Sequence, residues 1–191
     1  GAIVLDFESN VQSPFLWVLT YDEALKLAPY HSNSLISKTR CLLLLKQFDV
    51  ASAIVDSFFV SKRFDVDMLL FRGDIKLHNG SVEAALHDFT RAIAISPDDL
   101  SLLNRAANCL ADLSQYDEEV AVRKRIIAVM LQQGESKEYM AISYGLLGLA
   151  LNYAFLWEEA LENFNTSISL DPSSRAATFY FYRTSVKAKL K

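Results

Sequence analysis

The side chains able to do chemistry in this chain do not assemble into a reactive centre. Histidine occurs three times, at His31, His78 and His87. An imidazole acts as a general base or metal ligand beside a partner that orients it or shares the ion. None of the three has a cysteine or carboxylate at metal-ligand spacing, so they read as surface or turn residues. The pairs Glu118-Glu119 and Glu158-Glu159 have the residue types of an acid/base dyad. Both fall at expected helix starts, where the helix dipole favours carboxylates, and that placement accounts for them. Asp65-Asp67 and Asp98-Asp99 fit helix caps and turns in the same way. Gly73, Gly145 and Gly148 lie inside expected helices, where close packing needs them, and do not form a phosphate-cradling loop. No catalytic residue, metal ligand or cofactor is expected, and the chain does not read as an enzyme.

The elements that position these residues are visible in one stretch, Leu69 to Pro97, LLFRGDIKLHNGSVEAALHDFTRAIAISP. Gly73 is followed at fixed intervals by Ala85, Phe89, Ala92 and Pro97. Two apolar helical faces meet across the turn Asn79-Gly80-Ser81, and a proline closes the second helix. This pattern resembles the tetratricopeptide repeat, a helix-turn-helix unit of ~34 residues. The glycine, both alanines, the phenylalanine and the proline match. Leu69 and Lys76 stand where the ideal pattern has tryptophan and tyrosine.

The same register extends along the chain. With Val66 opening one repeat (66–99), others open at Ser32 (32–65) and Leu100, each 34 residues away. Leu35, Leu42 and Phe48-Asp49-Val50-Ala51 mark the Ser32 repeat; Leu103, Ala107, Leu110 and Tyr116-Asp117-Glu118 mark the Leu100 repeat. A fourth opens at Ala141 (141–174), with Tyr144, Leu147-Gly148, Leu151, Trp157-Glu158-Glu159-Ala160, Phe164 and Asp171-Pro172 in place. Seven extra residues precede it, so the third repeat spans 100–140; they make about two helical turns. Gly134 and Ser136 mark the expected helix break there. In residues 1–31, Phe15 to Leu27 reads as the second helix of a partial repeat, with Tyr21, Ala24, Leu27 and Pro29 in register. Residues 175–191 read as a capping or partial-repeat helix. Beginning and ending mid-pattern, with Gly1 in place of Met, the chain is expected to belong to a longer protein or a multi-protein assembly. The expected fold is an all-α solenoid of stacked antiparallel helix pairs, one continuous domain. The resemblance adds that such pairs wind into a right-handed superhelix.

Composition agrees. The chain has 191 residues, 51% of them apolar, with 6 Gly and 4 Pro to punctuate them. No apolar run reaches the ~20 residues needed to span a bilayer, and no basic, apolar and cleavable leader opens the chain. Net charge is −4 with the signs interspersed, which leaves no basic footprint for nucleic acid. Cys41 and Cys109 hold the same place two repeats apart, too far for a disulfide given helix spacings of about 8–10 Å. They read as small packing residues, and the lack of a disulfide framework points to a reducing compartment, the cytoplasm. One repeat is irregular: the alanine place kept by Ala51, Ala85 and Ala160 holds Glu119, and the phenylalanine place holds Arg123. Either that second helix is rotated by about one residue or it packs loosely. Outward-turned Arg123, Lys124 and Arg125, meeting an acidic partner, are the functional alternative.

Function is therefore expected from surface. The resemblance implies a concave groove lined by first helices that binds a peptide or helix of a partner protein. The groove places are Asn33, Ile36, Ser37 and Arg40, then Asp67, Leu70, Phe71 and Asp74. Ser101, Asn104, Arg105 and Asn108 follow, and then Ile142, Gly145, Leu146 and Leu149. Asparagine amides there suit extended peptides because each can pair with a backbone donor and acceptor. A related subgroup grips chaperone carboxy-termini with a lysine, asparagine and arginine clamp. Ile36, Arg40, Phe71, Ser101 and Arg105 occupy those places, and Arg105 alone matches in type, which disfavours that role. The alternative to a groove-binding scaffold is an architectural subunit of a permanent assembly. The run Phe179-Tyr180-Phe181-Tyr182 is expected either to pack beneath the last repeat or to touch chain beyond it.

Overall fold

A computed structural model of the chain describes residues 14–27, 32–60, 65–173 and 177–190. They form ten helices and no strand: α1 (Pro14–Leu27), α2 (Ser32–Leu44), α3 (Phe48–Val60), α4 (Val66–His78), α5 (Val82–Ile95), α6 (Leu100–Asp112), α7 (Tyr116–Gln133), α8 (Lys137–Tyr153), α9 (Trp157–Leu170) and α10 (Ala177–Lys189). The expectations placed on His31 and Pro29 lie outside the described residues. The chain divides into two compact units, Gly1–Asn79 and Gly80–Lys191, at the Asn79-Gly80 turn.

The turns that follow α2, α4, α6 and α8 share one device. Lys46, Gly80, Ser114 and Phe155 all take left-handed φ, at 58°, 76°, 57° and 62°, and they recur at spacings of 34, 34 and 41 residues. The left-handed residue reverses the chain so that amides beyond the helix reach back to its last carbonyls. Thus Gln47 N donates to Leu42 O (2.9 Å), Gln115 N to Leu110 O (2.8 Å) and Leu156 N to Leu151 O (2.9 Å). The starts of α4, α6 and α8 are capped by side chains. Asp65 accepts from the amides of Asp67 and Met68, Asp99 from those of Ser101 and Leu102, and Ser136 from that of Tyr139.

In the first unit, α1 packs on α2, α2 on α3, α3 on α4, and α2 also on α4. Its core joins Leu42, Ala51, Val55, Phe58, Met68 and Ile75. In the second unit each helix from α5 to α10 packs on the next, and α8 also meets α10. Here Leu103, Ala107, Ile126, Met130, Leu147, Leu151, Ala160, Phe164 and Val186 make the core. The alanines at the helix-pair place, Ala51, Ala85 and Ala160, are fully buried. Gly148 shows why a small residue is needed: a β-carbon there would stand 2.8 Å from two ring carbons of Phe164.

Most of the extra residues lengthen α7 and α8, leaving a short link at residues 134–136. α7 has 18 residues and α8 has 17, against 13 or 14 in the other helices of this unit. Both helices gain about one turn, and they part at Gly134, whose φ of 71° is left-handed.

Glu119 and Arg123 correct the expectation of a rotated helix or an outward basic face. Both point inward, with 3% and 6% of their surface exposed. Arg123 Nε donates to Glu119 Oε1 at 2.5 Å and Nη2 to Asn108 Oδ1 at 3.2 Å. The pair occupies the alanine and phenylalanine places without turning the helix, because each ion satisfies the other. Lys124 instead pairs with Glu159 at 2.9 Å, and Arg125 lies 3.7 Å from Asp98.

Candidate interaction surface

The first-helix places fall into distinct environments. In the first unit, Asn33 and Arg40 are exposed, while Ser37, Asp67, Leu70 and Asp74 are half-buried. Ile36 and Phe71 are interior, a correction to their reading as contact residues: both belong to the core that joins α2 to α4. Arg40 spans that seam, 3.8 Å from Asp67 Oδ1 and with its guanidinium 5.8 Å from the Phe71 ring centroid.

In the second unit, Ser101, Asn108 and Ile142 are exposed, and Asn104, Arg105, Leu146 and Leu149 are half-buried. Asn104 Nδ2 donates to Leu100 O at 2.7 Å, which fixes its amide on its own helix. Asn108 accepts from Arg123. Gly145 is not an open groove place, because the Phe179 ring of α10 lies directly on it and would collide with any β-carbon. The α10 aromatic run thereby divides by face. Phe179 and Tyr182 stack on Phe164, each at 6.3 Å, whereas Phe181 is 70% exposed.

The seam between α6 and α8 holds two clefts. One, of about 290 Å³, is lined by Leu100, Asn104, Met130, Glu135, Tyr139, Ile142, Ser143 and Leu146. Three expected places, Asn104, Ile142 and Leu146, meet here. Tyr139, Met130 and Glu135 were missed by sequence reasoning, and all come from the lengthened helices and the link between them. Extending the first helix of that pair backwards through the seven extra residues is the signal that finds Tyr139. The second cleft, of about 340 Å³, is lined by Asp112, Tyr116, Glu119, Arg123, Leu146, Leu149 and Tyr153 among others. At its edge Tyr116 stacks on Tyr153, with centroids 5.2 Å apart. The Tyr182 phenol, hydrogen-bonded to Tyr153, holds Tyr153 above the usual tyrosine range; the charge of Tyr182, burial and Tyr116 act in the same direction.

The titratable groups elsewhere are dispersed. Cys41 and Cys109 are buried and not joined in a disulfide, and burial pushes the Cys41 thiol up against the smaller opposing effect of Arg40. His78 stacks flat on Phe48 at 3.5 Å, and His87 is an exposed neighbour of Asp88. Among the described residues no group of three or more His, Cys, Asp or Glu could hold a metal ion, and no helix is long and apolar enough to cross a membrane.

No protein-family model and no curated protein matches the sequence. Solved structures do match the fold. YrrB, described as a TPR protein with an unusual peptide-binding site, is 18% identical over 86% of this chain and 81% of its own, with a TM-score of 0.69. The C-terminal part of a TPR repeat-containing protein from Cytophaga hutchinsonii is 15% identical over 92% and 69%, with a TM-score of 0.70. MamA is 17% identical over 81% of each chain, with a TM-score of 0.67. Together with the recurring turns and the buried alanine places, these likenesses identify the fold: the chain is an all-α, tetratricopeptide-type solenoid of stacked helix pairs.

Proposed function

We propose that the chain is a non-catalytic interaction scaffold that binds a peptide or helix of a partner protein on its first helices. The observation that carries this reading is the cleft of about 290 Å³ on the α6–α8 seam. Its wall presents Tyr139 and Ile142, 62% and 39% exposed. An aromatic anchor beside aliphatic side chains, rimmed by polar groups, is the composition of a binding hot spot. Asn104 and Glu135 supply that polar rim. The peptide-binding site named for YrrB, a protein of like fold, supports the same reading. The second unit adds Ser101, Arg105 and Asn108 to the proposed contact places, and the first unit, taken by itself, offers Asn33, Ser37, Arg40, Asp67, Leu70 and Asp74. Buried cysteines outside any disulfide suit a reducing, cytoplasmic setting.

The test is selection of a displayed peptide library on the parent protein, repeated with a Tyr139→Ala, Ile142→Asp variant. Peptides that bind the parent and not the variant support the seam. Recovery of the same peptides by both would transfer binding elsewhere. Large apolar side chains exposed outside the seam, Leu131 at 63% and Phe181 at 70%, favour an architectural subunit as the second reading.

A further inference from the structure

Phe155 carries two costs at once. Its φ of 62° is left-handed, a region that bulky side chains rarely enter. Its ring is also 74% exposed, although an apolar ring gains from leaving water. The corresponding turns use Lys46, Gly80 and Ser114, and glycine would remove both costs. Strain kept together with exposure suggests that the ring has a use outside the fold.

Its surroundings indicate which use. Phe155 meets Trp157 edge-on at 6.3 Å. Tyr153, two residues away and 45% exposed, stacks on Tyr116 and so joins the turn before α7 to the turn before α9. Beside this tyrosine pair opens the cleft of about 340 Å³, lined by Asp112, Leu146 and Leu149 and by the Glu119–Arg123 pair, whose opposite charges offset each other. Asp112, Asp117, Glu118 and Glu158 are all exposed on the flanking helix ends. Aromatic faces and carboxylates together attract guanidinium and ammonium groups, and an apolar cleft accepts their aliphatic stems.

We propose that the aromatic and acidic edge formed by Tyr116, Tyr153 and Asp112, with Phe155 on the turn two residues beyond Tyr153, docks an arginine- or lysine-bearing segment of a partner protein. The basic head pairs with Asp112 over the tyrosine faces, its stem lies on Leu146 and Leu149, and a neighbouring apolar residue packs on Phe155. The inference goes beyond the groove reading: it shares the groove places Leu146 and Leu149 on the same seam, but Phe155, Tyr116 and Asp112 hold none of those places.

Two labelled probes test it by fluorescence anisotropy: a short peptide alternating arginine, leucine and serine, and the same peptide with glutamate for arginine. The parent should bind the arginine peptide and not the glutamate peptide. Phe155→Gly and Asp112→Asn should each weaken binding about tenfold or more, the effect of losing one well-placed contact. Phe155→Gly should melt no lower than the parent, and the Tyr139→Ala, Ile142→Asp variant should bind the arginine peptide normally. The proposal is overturned if the parent binds neither peptide or both alike. It is also overturned if Phe155→Gly binds unchanged, or melts well below the parent, which would assign the ring to the fold.

Discussion

The buried Glu119–Arg123 pair makes the sharpest prediction about how this fold tolerates charge. Both residues are almost wholly enclosed, and their contact is 2.5 Å long. Two buried ions gain from each other about what they lose by leaving water, so the pair contributes little net stability. Removing one partner is different, because the survivor stays buried and uncompensated. Glu119→Ala or Arg123→Phe alone should therefore cost about 3–5 kcal/mol, lowering the melting temperature by roughly 6–20 °C for a chain of this size. The double variant Glu119→Ala, Arg123→Phe installs the residue types found at Ala85 and Phe89, both fully buried in α5. It should be as stable as the parent or more stable. The single variants should also differ with pH. The lone carboxylate in Arg123→Phe can neutralise itself by taking up a proton, whereas the lone guanidinium in Glu119→Ala cannot give one up. Urea denaturation at neutral and mildly acidic pH would measure all four proteins. Single-variant losses below about 1 kcal/mol, adding independently in the double variant, would refute the argument, since that is the behaviour of an exposed pair.

Further predictions follow from the contacts of individual residues. Gly148→Ala should destabilise by about 1–3 kcal/mol, because its methyl meets the buried Phe164 ring at 2.8 Å, and Gly148→Arg should prevent native packing of α8 on α9; thermal melts check both. Asp99→Ala removes the cap whose carboxylate accepts from Ser101 N at 2.8 Å and Leu102 N at 3.2 Å, which should cost about 1 kcal/mol in urea denaturation. Tyr153 titrates above the usual tyrosine range because of Tyr182, so its protonated form is favoured by folding. The associated stability is present in full below the ordinary tyrosine pKa of about 10 and is lost as pH rises through the folded value. Ultraviolet titration of Tyr182→Phe should show Tyr153 moving down toward that ordinary value.

How much of this was legible in the sequence depended on whether a residue type has one structural use or several. Alanine between two bulky apolar residues has essentially one, so Ala51, Ala85 and Ala160 displayed the helix-pair spacing directly. Gly80, in an Asn-Gly-Ser context, signalled a turn, and the structure gives it left-handed φ, whereas Lys46, Ser114 and Phe155 adopt the same conformation with no glycine to announce it. Glu119 and Arg123 were misread because charged side chains are usually exposed, and their mutual burial depends on both being present. Ile36 and Phe71 were assigned by place within the repeat, which specifies a helix face but not how deeply the neighbouring helix covers it. The Gly134 break and the Ser136 cap were readable. Tyr139 was not, because its position relied on the extra residues being helical. The four consecutive aromatics of α10 separate by helical period, which brings Phe179 and Tyr182 onto one face and leaves Phe181 on another.

Site-specific photo-cross-linking addresses the central claim most directly. A photoreactive phenylalanine analogue would be placed at Ile142, on the α6–α8 seam, and in a second protein at Glu162, exposed on α9. Both would be irradiated in cell extract, and the adducts identified by mass spectrometry. The account predicts a defined partner segment cross-linked at Ile142 and absent at Glu162. The same partner captured at Glu162 and missing at Ile142 would contradict it and place binding on the second helices.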